Sequence, residues 1–370
     1  MALRIAGILA LTMLLSAAPG RGQEVSRSTI IALNEQAATY NARGMQDSAL
    51  LVADSAVKLA QSELGPNHTM VAVSLNTAAT LMYAYGRKES AANAYERALG
   101  VWRQSPPADS LPIGAASYNL ATIRLEQNRA GEAADLLARA VPIIGNRLGA
   151  DAAQYVDAQF LLADAYRRSN RCDRALPLYE EVYQRHQQTP GPPTAELARA
   201  MNNMGICLVA SGEQARAENM YQEALAATEQ VYGPDHPAVA YCLDNLAKLY
   251  LDQRRYSEAQ RLSTLALEIL ETRTGRQSAE TMEAVMLRAN ILLESGQLQP
   301  AEETFQRALT YYQSHRPINK TIVTEIYLDL ARIYEKLGER EKAAAALVEA
   351  GKLTPKSRTK EVDSAETETE

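Results

Sequence analysis

The sequence predicts an all-α fold, an α-solenoid of eight helix hairpins, and three observations predict it. Ala, Leu, Glu, Gln and Arg, all good helix formers, dominate the chain beyond its N-terminus. Glycine, at 19 in 370 residues, is low for a chain built from many strands and turns. Small residues recur at a constant step of 42 positions over most of the length, and a fixed period of that size indicates a repeat array.

The N-terminal stretch, MALRIAGILALTMLLSAAPGRGQ, stands outside this pattern. Arg4 supplies a positive start, and Ile5 to Ala18 form a nearly unbroken apolar run without a polar face. Gly20 and Gly22 make a small-x-small pair, so residues 1–22 are expected to be a signal peptide cleaved after Gly22. The run is short for a bilayer span, and no later segment is apolar enough for one. No cysteine follows it, so a lipid anchor is not indicated. The mature chain is expected to be exported, to the periplasm first and the extracellular space second. Losing Arg4 and Arg21 takes the net charge from -6 by two to -8, which argues against nucleic acid as a partner.

From Ala49, steps of 42 give Ala91, Ala133, Ala175, Ala217, Ala259, Ala301 and Ala343. Seven residues after each stand Ala56, Ala98, Ala140, Val182, Ala224, Ala266, Ala308 and Ala350. Twelve before each stand Ala37, Ala79, Ala121, Ala163, Gly205, Ala247, Ala289 and Ala331. Small side chains held at these places let helix axes approach closely, and a spacing of seven keeps two columns on one helix face. A fourth column is Gly44, Gly86, Asn128, Asn170, Gly212, Arg254, Gly296 and Gly338, the pattern of a left-handed residue that ends a helix. Arg254 breaks it, and a shifted or strained turn is expected there. Gly65, Pro107, Gly149, Gly191, Gly233, Gly275 and Pro317 separate one period from the next. Each period therefore holds two helices and two breaks. Most of the 18 tyrosines fall in the same frame, such as Tyr40, Tyr166, Tyr250 and Tyr334, and are expected to pack while their hydroxyls find partners.

These spacings resemble the tetratricopeptide repeat, and the 42-residue length resembles its kinesin-light-chain-type subclass. VYGPDHPAVAYCLDNLAKLYLDQRRYSEAQRLSTLALEILE, residues 231–271, is similar to that subclass almost throughout, and MNNMGICLVASGEQARAENMYQEAL matches in part. The likeness covers residues 25–353 as eight repeats and implies that they wind into a right-handed superhelix. It does not extend to a motor role, since a signal-like segment stands where kinesin light chains have a coiled coil.

YGPDHPAVAYCLDNLAKLY, from Tyr232 to Tyr250, gathers Asp235, His236, Cys242 and Asp244, side chains able to bind a metal or move a proton. The repeat frame gives each a structural role instead. His236 stands four periods after His68, in the matching turn LGPNHT. Asp235 shares a column with Asn67, Asp109, Asp151 and Asn319, residue types that suit helix N-caps. Asp244 stands in a column with Asn34, Asn76 and Asn202. With four histidines and none paired at ligand spacing, no metal site is expected. Neither a phosphate loop nor a nucleophile elbow is present, so no catalytic residue or cofactor is assigned.

Cys172, Cys207 and Cys242 leave at least one thiol unpaired. They are read either as small buried hydrophobes or with Cys172 and Cys207 as the closest pair, within reach of a disulfide. Residues 354–370, TPKSRTKEVDSAETETE, have no apolar period and are expected to be disordered.

The resemblance implies a scaffold whose first helices line a concave groove that binds extended segments of other proteins; with the expected export, assembly of an envelope complex is the other scaffold role. In repeats four to six that groove would hold Arg167, Arg168, Asn202, Asn203, Asn245 and Lys248, with Arg199 one turn earlier. Each asparagine offers both a donor and an acceptor to a peptide backbone. The cations would favour acidic segments or a C-terminal carboxylate. The competing reading is a small-ligand receptor or enzyme using the same groove.

Overall fold

The computed structural model describes residues 21–107, 110–188 and 191–353. The expected signal peptide therefore falls almost wholly outside the described residues, and the polar tail and Asp109 fall wholly outside. The described residues form sixteen helices and no strand.

They divide into two compact units, one of residues up to Gly191 together with Ala210–Gly212, the other of Pro192–Val209 together with residues from Glu213 onward. The first unit holds α1 (Arg21–Ala42), α2 (Gln46–Leu64), α3 (Thr69–Ala84), α4 (Lys88–Gln104), α5 (Leu111–Glu126), α6 (Ala130–Leu148), α7 (Ala153–Arg168) and α8 (Cys172–Gln188). The second is built on α9 (Ala195–Ala210), α10 (Gln214–Tyr232), α11 (Pro237–Asp252), α12 (Tyr256–Arg273), α13 (Ala279–Glu294), α14 (Leu298–Ser314), α15 (Lys320–Leu337) and α16 (Arg340–Leu353). Odd-numbered helices are the first of each hairpin and even-numbered ones the second. Within each unit hairpins pack one on the next, and first helices also touch first helices, α1 on α3 and α11 on α13 among them. Each unit is thus a solenoid of helical repeats.

The alanine columns are the contact lines of this stack. Of the three small-residue columns, every member is buried except Val182, which is half-buried and carries the bulkiest side chain among them. Glycine at position 205 follows from close approach, since a Cβ there would run into the Tyr221 ring. The tyrosines fill the remaining space: Tyr95, Tyr179 and Tyr221 are buried on second helices, Tyr166, Tyr250 and Tyr334 on first helices. Burial of an aromatic ring contributes hydrophobic stabilisation, and the hydroxyl still needs a partner. Tyr95 meets Thr80 at 2.9 Å and Asn119 at 3.1 Å, which join a hairpin to its successor.

All eight hairpin turns close the same way. The residue after the Gly/Asn column donates its N–H five residues back, as from Met45 to Tyr40, Arg87 to Met82 and Arg255 to Tyr250, at 2.8 to 2.9 Å. That bond requires a left-handed residue before the donor, and all eight column members have positive φ. Arg254 has φ 61°, so its turn keeps the register of the others and the strain falls on the arginine itself.

The joints between hairpins differ from expectation by one residue. The cap is not Asp235 or Asn67 but the histidine that follows: Nδ1 of His236 accepts from the Ala238 N–H, and Nδ1 of His68 from the Met70 N–H, each at 3.1 Å. Ser278 caps α13 in the same column. Among the described members of the Asp/Asn column Asn319 alone caps, its Oδ1 accepting from the Ile322 N–H at 3.3 Å. A neutral imidazole nitrogen accepts as a hydroxyl or amide oxygen does. Asp235 instead faces Arg273, whose Nε donates to the Asp235 carbonyl at 3.1 Å.

Candidate binding surface on the first helices

The residues expected to form a groove fall in both units. Arg167 and Arg168 end α7 in the first unit; Arg199, Asn202 and Asn203 lie on α9, and Asn245 and Lys248 on α11, in the second.

In the second unit the asparagines meet. Asn245 Nδ2 donates to Asn202 Oδ1 at 2.9 Å, joining α11 to α9. Both side chains are half-buried, as is Asn203 beside them. The bond uses one of the two N–H groups of Asn245 and one lone pair of Asn202. It leaves Asn245 Oδ1 as an acceptor and the Asn202 NH2 as a donor, side by side and held in orientation. Lys248 and Arg199 are exposed, roughly one helical turn from their asparagines.

Asp244, next to Asn245, carries a feature that column reasoning had treated as ordinary. Its Oδ1 is buried without a hydrogen-bond partner. Burial first, and the Glu283 carboxylate of α13 second, push its pKa up to about 7. Tyr241, one turn earlier on α11, is 44% exposed, and burial together with Glu280, Glu283 and Asp244 raises its pKa. The signal in the sequence was an aspartate in a column otherwise rich in asparagine.

In the first unit the two arginines are already engaged. Arg167 is paired with Asp164 of its own helix at 2.6 Å, and although burial opposes its charge, the Asp164 carboxylate holds its pKa above the ordinary value. Arg168 Nη2 donates to the Leu125 carbonyl at 2.8 Å and to Asn128 Oδ1 at 3.1 Å, satisfying the C-terminal end of α5. Arg124, buried on α5, contacts Glu96 of α4 and Glu132 of α6, which ties three helices together. These contacts are structural.

The other members of the cluster from Tyr232 to Tyr250 have partners within the fold. Cys242 is buried, its thiol raised first by burial, and it lies 3.5 Å from Thr228 Oγ1. His236 caps a helix and stacks on Tyr232 with ring centroids 4.5 Å apart. Among the described residues no group of His, Cys, Asp and Glu is arranged to hold a metal ion. No disulfide joins the three cysteines, of which Cys207 and Cys242 are buried and Cys172 half-buried. No described helix is long and apolar enough to cross a membrane.

Comparison with known proteins agrees with this architecture. Tetratricopeptide repeat family models match residues 27–104, 112–188, 173–230 and 196–272, then 245–315 and 324–357. The chain is a tetratricopeptide repeat protein. No curated protein sequence matches it. Solved structures share the tetratricopeptide fold at low identity. BtubC (BKLC) from P. vanneervenii is 21% identical with a TM-score of 0.51, covering 63% of this chain and 95% of its own. The apo quorum sensor NprR from B. thuringiensis is 16% identical with a TM-score of 0.61, covering 88% and 87%. The signal transduction ATPase PH0952 from Pyrococcus horikoshii, with its tetratricopeptide repeat sensor, is 14% identical with a TM-score of 0.55, covering 90% of this chain and 48% of its own. At these identities the likeness concerns the fold.

Proposed function

We propose that this tetratricopeptide repeat protein is an interaction scaffold that holds an extended peptide segment of a partner on the first helices of its second unit. One observation carries the reading: the Asn245–Asn202 bond fixes two amides so that an acceptor and a donor stand together. A peptide backbone in extended conformation offers the complementary pair, and recognition through main-chain groups tolerates varied side chains. Asn203 extends the polar line along α9. Lys248 and Arg199 bias the surface toward acidic segments or a C-terminal carboxylate. Because Arg167 and Arg168 have intramolecular partners, they contribute less to this reading. The apolar run at residues 5–18 supports export, with residues 1–22 as the signal segment. Fusion of residues 1–22 to a reporter enzyme that matures only outside the cytoplasm tests that part; an inactive reporter would remove it.

The binding reading is tested by selecting peptides from a displayed random library on residues 23–370. Selected peptides are expected to be enriched in Asp and Glu. The Asn203→Ala, Asn245→Ala double variant is expected to bind them about 1 to 3 kcal/mol more weakly, while loss of the Asn245–Asn202 bond costs about 1 kcal/mol of stability and leaves the protein folded. Unchanged affinity in that variant would remove these residues from the site.

A further inference from the structure

Two joints of the array differ chemically from the others. At His68 and His236 the acceptor that caps the next first helix is an imidazole nitrogen, whereas Ser278 and Asn319 cap with oxygens that do not titrate near neutral pH. We propose that the His68 and His236 joints are acid-labile caps, which release the N-termini of α3 and α11 when the imidazole takes a proton.

Nδ1 accepts from a backbone N–H only while it carries no proton, and the imidazolium has two N–H groups and no acceptor. Protonation therefore removes the cap and sets a positive ring against the positive end of the helix dipole. At His68 charge repulsion adds to this, because Arg27 of α1 brings its Nη2 to 3.1 Å from Nε2, and the neutral ring has a lone pair for only one of its two donor neighbours. Both neighbours of that ring are donors, one of them charged. The carboxylate at the end of α2, Glu63, is approached by Ser26 Oγ at 3.4 Å. At His236 the ring stacks on Tyr232 of α10, and the adjacent Asp235 carboxylate faces Arg273 of α12 at 3.5 Å.

The direction follows from linkage. Burial first, then Arg27, hold the His68 imidazolium below its ordinary pKa. Its contribution to stability is therefore full above that ordinary value and is lost as pH falls through the lower, folded value. Acidification therefore loosens the entry to α3 within the first unit. Neither the binding surface nor its ligand enters this inference.

Amide hydrogen exchange resolved by residue on the full chain, near pH 7.5 and near pH 5 and corrected for intrinsic rates, tests it. The Met70 and Ala238 amides are expected to lose about fivefold in protection on acidification, the scale of one helix cap. Thr281, whose N–H is capped by Ser278, serves as the internal reference and should not change. His68→Asn and His236→Asn should each abolish the loss at its own joint and leave the other intact. An equal loss at Thr281, no loss in the wild type, or an undiminished loss in the Asn variants would overturn the proposal. The nitrogen chemical shifts of the two rings give a test without substitution: at neutral pH Nδ1 should be unprotonated in both, and a protonated Nδ1 would contradict the cap.

Discussion

Tyr250 Oη donates to Glu218 Oε1 at 2.9 Å, and two periods later Tyr334 makes the same bond to Glu302 at the same distance. Both hydroxyls run from a buried ring on a first helix to a carboxylate on the second helix of the preceding hairpin. In the first of these, Arg255 stacks over the ring at 3.9 Å and reaches both Glu218 oxygens. The repeat therefore reproduces a specific polar contact as well as a packing pattern. Tyr250→Phe should cost about 1 kcal/mol, the usual net value of such a bond, and Tyr334→Phe a similar amount. The two should add, because no partner is shared. Urea unfolding followed by circular dichroism checks both variants. A double variant no weaker than either single one would show that the bonds do not hold the hairpins together.

Arg254 occupies a turn position that glycine fills in five of the eight hairpins. An L side chain at φ 61° costs about 1 kcal/mol or more relative to glycine in the folded state. The greater freedom of an unfolded glycine offsets part of that gain. Arg254→Gly is expected to raise stability by roughly 0.5 to 1 kcal/mol, read as a higher urea midpoint at unchanged slope. A lower midpoint would mean that the guanidinium contributes more than the strain removes.

Asp244 makes stability depend on pH in the direction opposite to a salt-bridged carboxylate. Its pKa rises to about 7 in the folded protein. Its favourable contribution is thus complete below the ordinary carboxylate range and is lost as pH rises through about 7. Asp244→Asn, which restores the amide of its column, should flatten that decline and make the protein more stable than wild type above pH 7. Urea midpoints measured across this range would refute the idea if the two profiles ran parallel.

Ala217 lies at 0% exposure where a second helix meets its neighbours. Ala217→Leu should overpack that contact and cost about 1 to 3 kcal/mol. A variant as stable as wild type, with unchanged helix content, would mean that the alanine column is not a contact line.

Most of the fold was legible because one physical demand recurs eight times. Close helix approach needs a small residue at a fixed place, and a turn with positive φ needs glycine or asparagine. Arg254 shows that the turn geometry persists even where the residue type argues against it. The helix caps were legible only approximately: aspartate and asparagine are the usual cap residues, so Asp235 drew attention that belonged to His236. Pro142 and Pro177 stand inside α6 and α8, which the repeat frame alone does not show. The candidate site was less legible, since repeat spacing shows which residues share a column and not which already have partners. Arg168, expected on the binding surface, also donates to the end of α5, and Asn202 and Asn245 bond each other.

The claim that the asparagine pair holds a peptide by its main chain has a direct test. A peptide selected on the wild-type protein is methylated at each backbone nitrogen in turn, and binding is measured by calorimetry to wild type and to Asn245→Ala. The account predicts at least one position where methylation weakens binding to the wild type about tenfold or more, and where the same methylation has little further effect on the variant. A flat methylation scan, or equal losses in both proteins at every position, would contradict it.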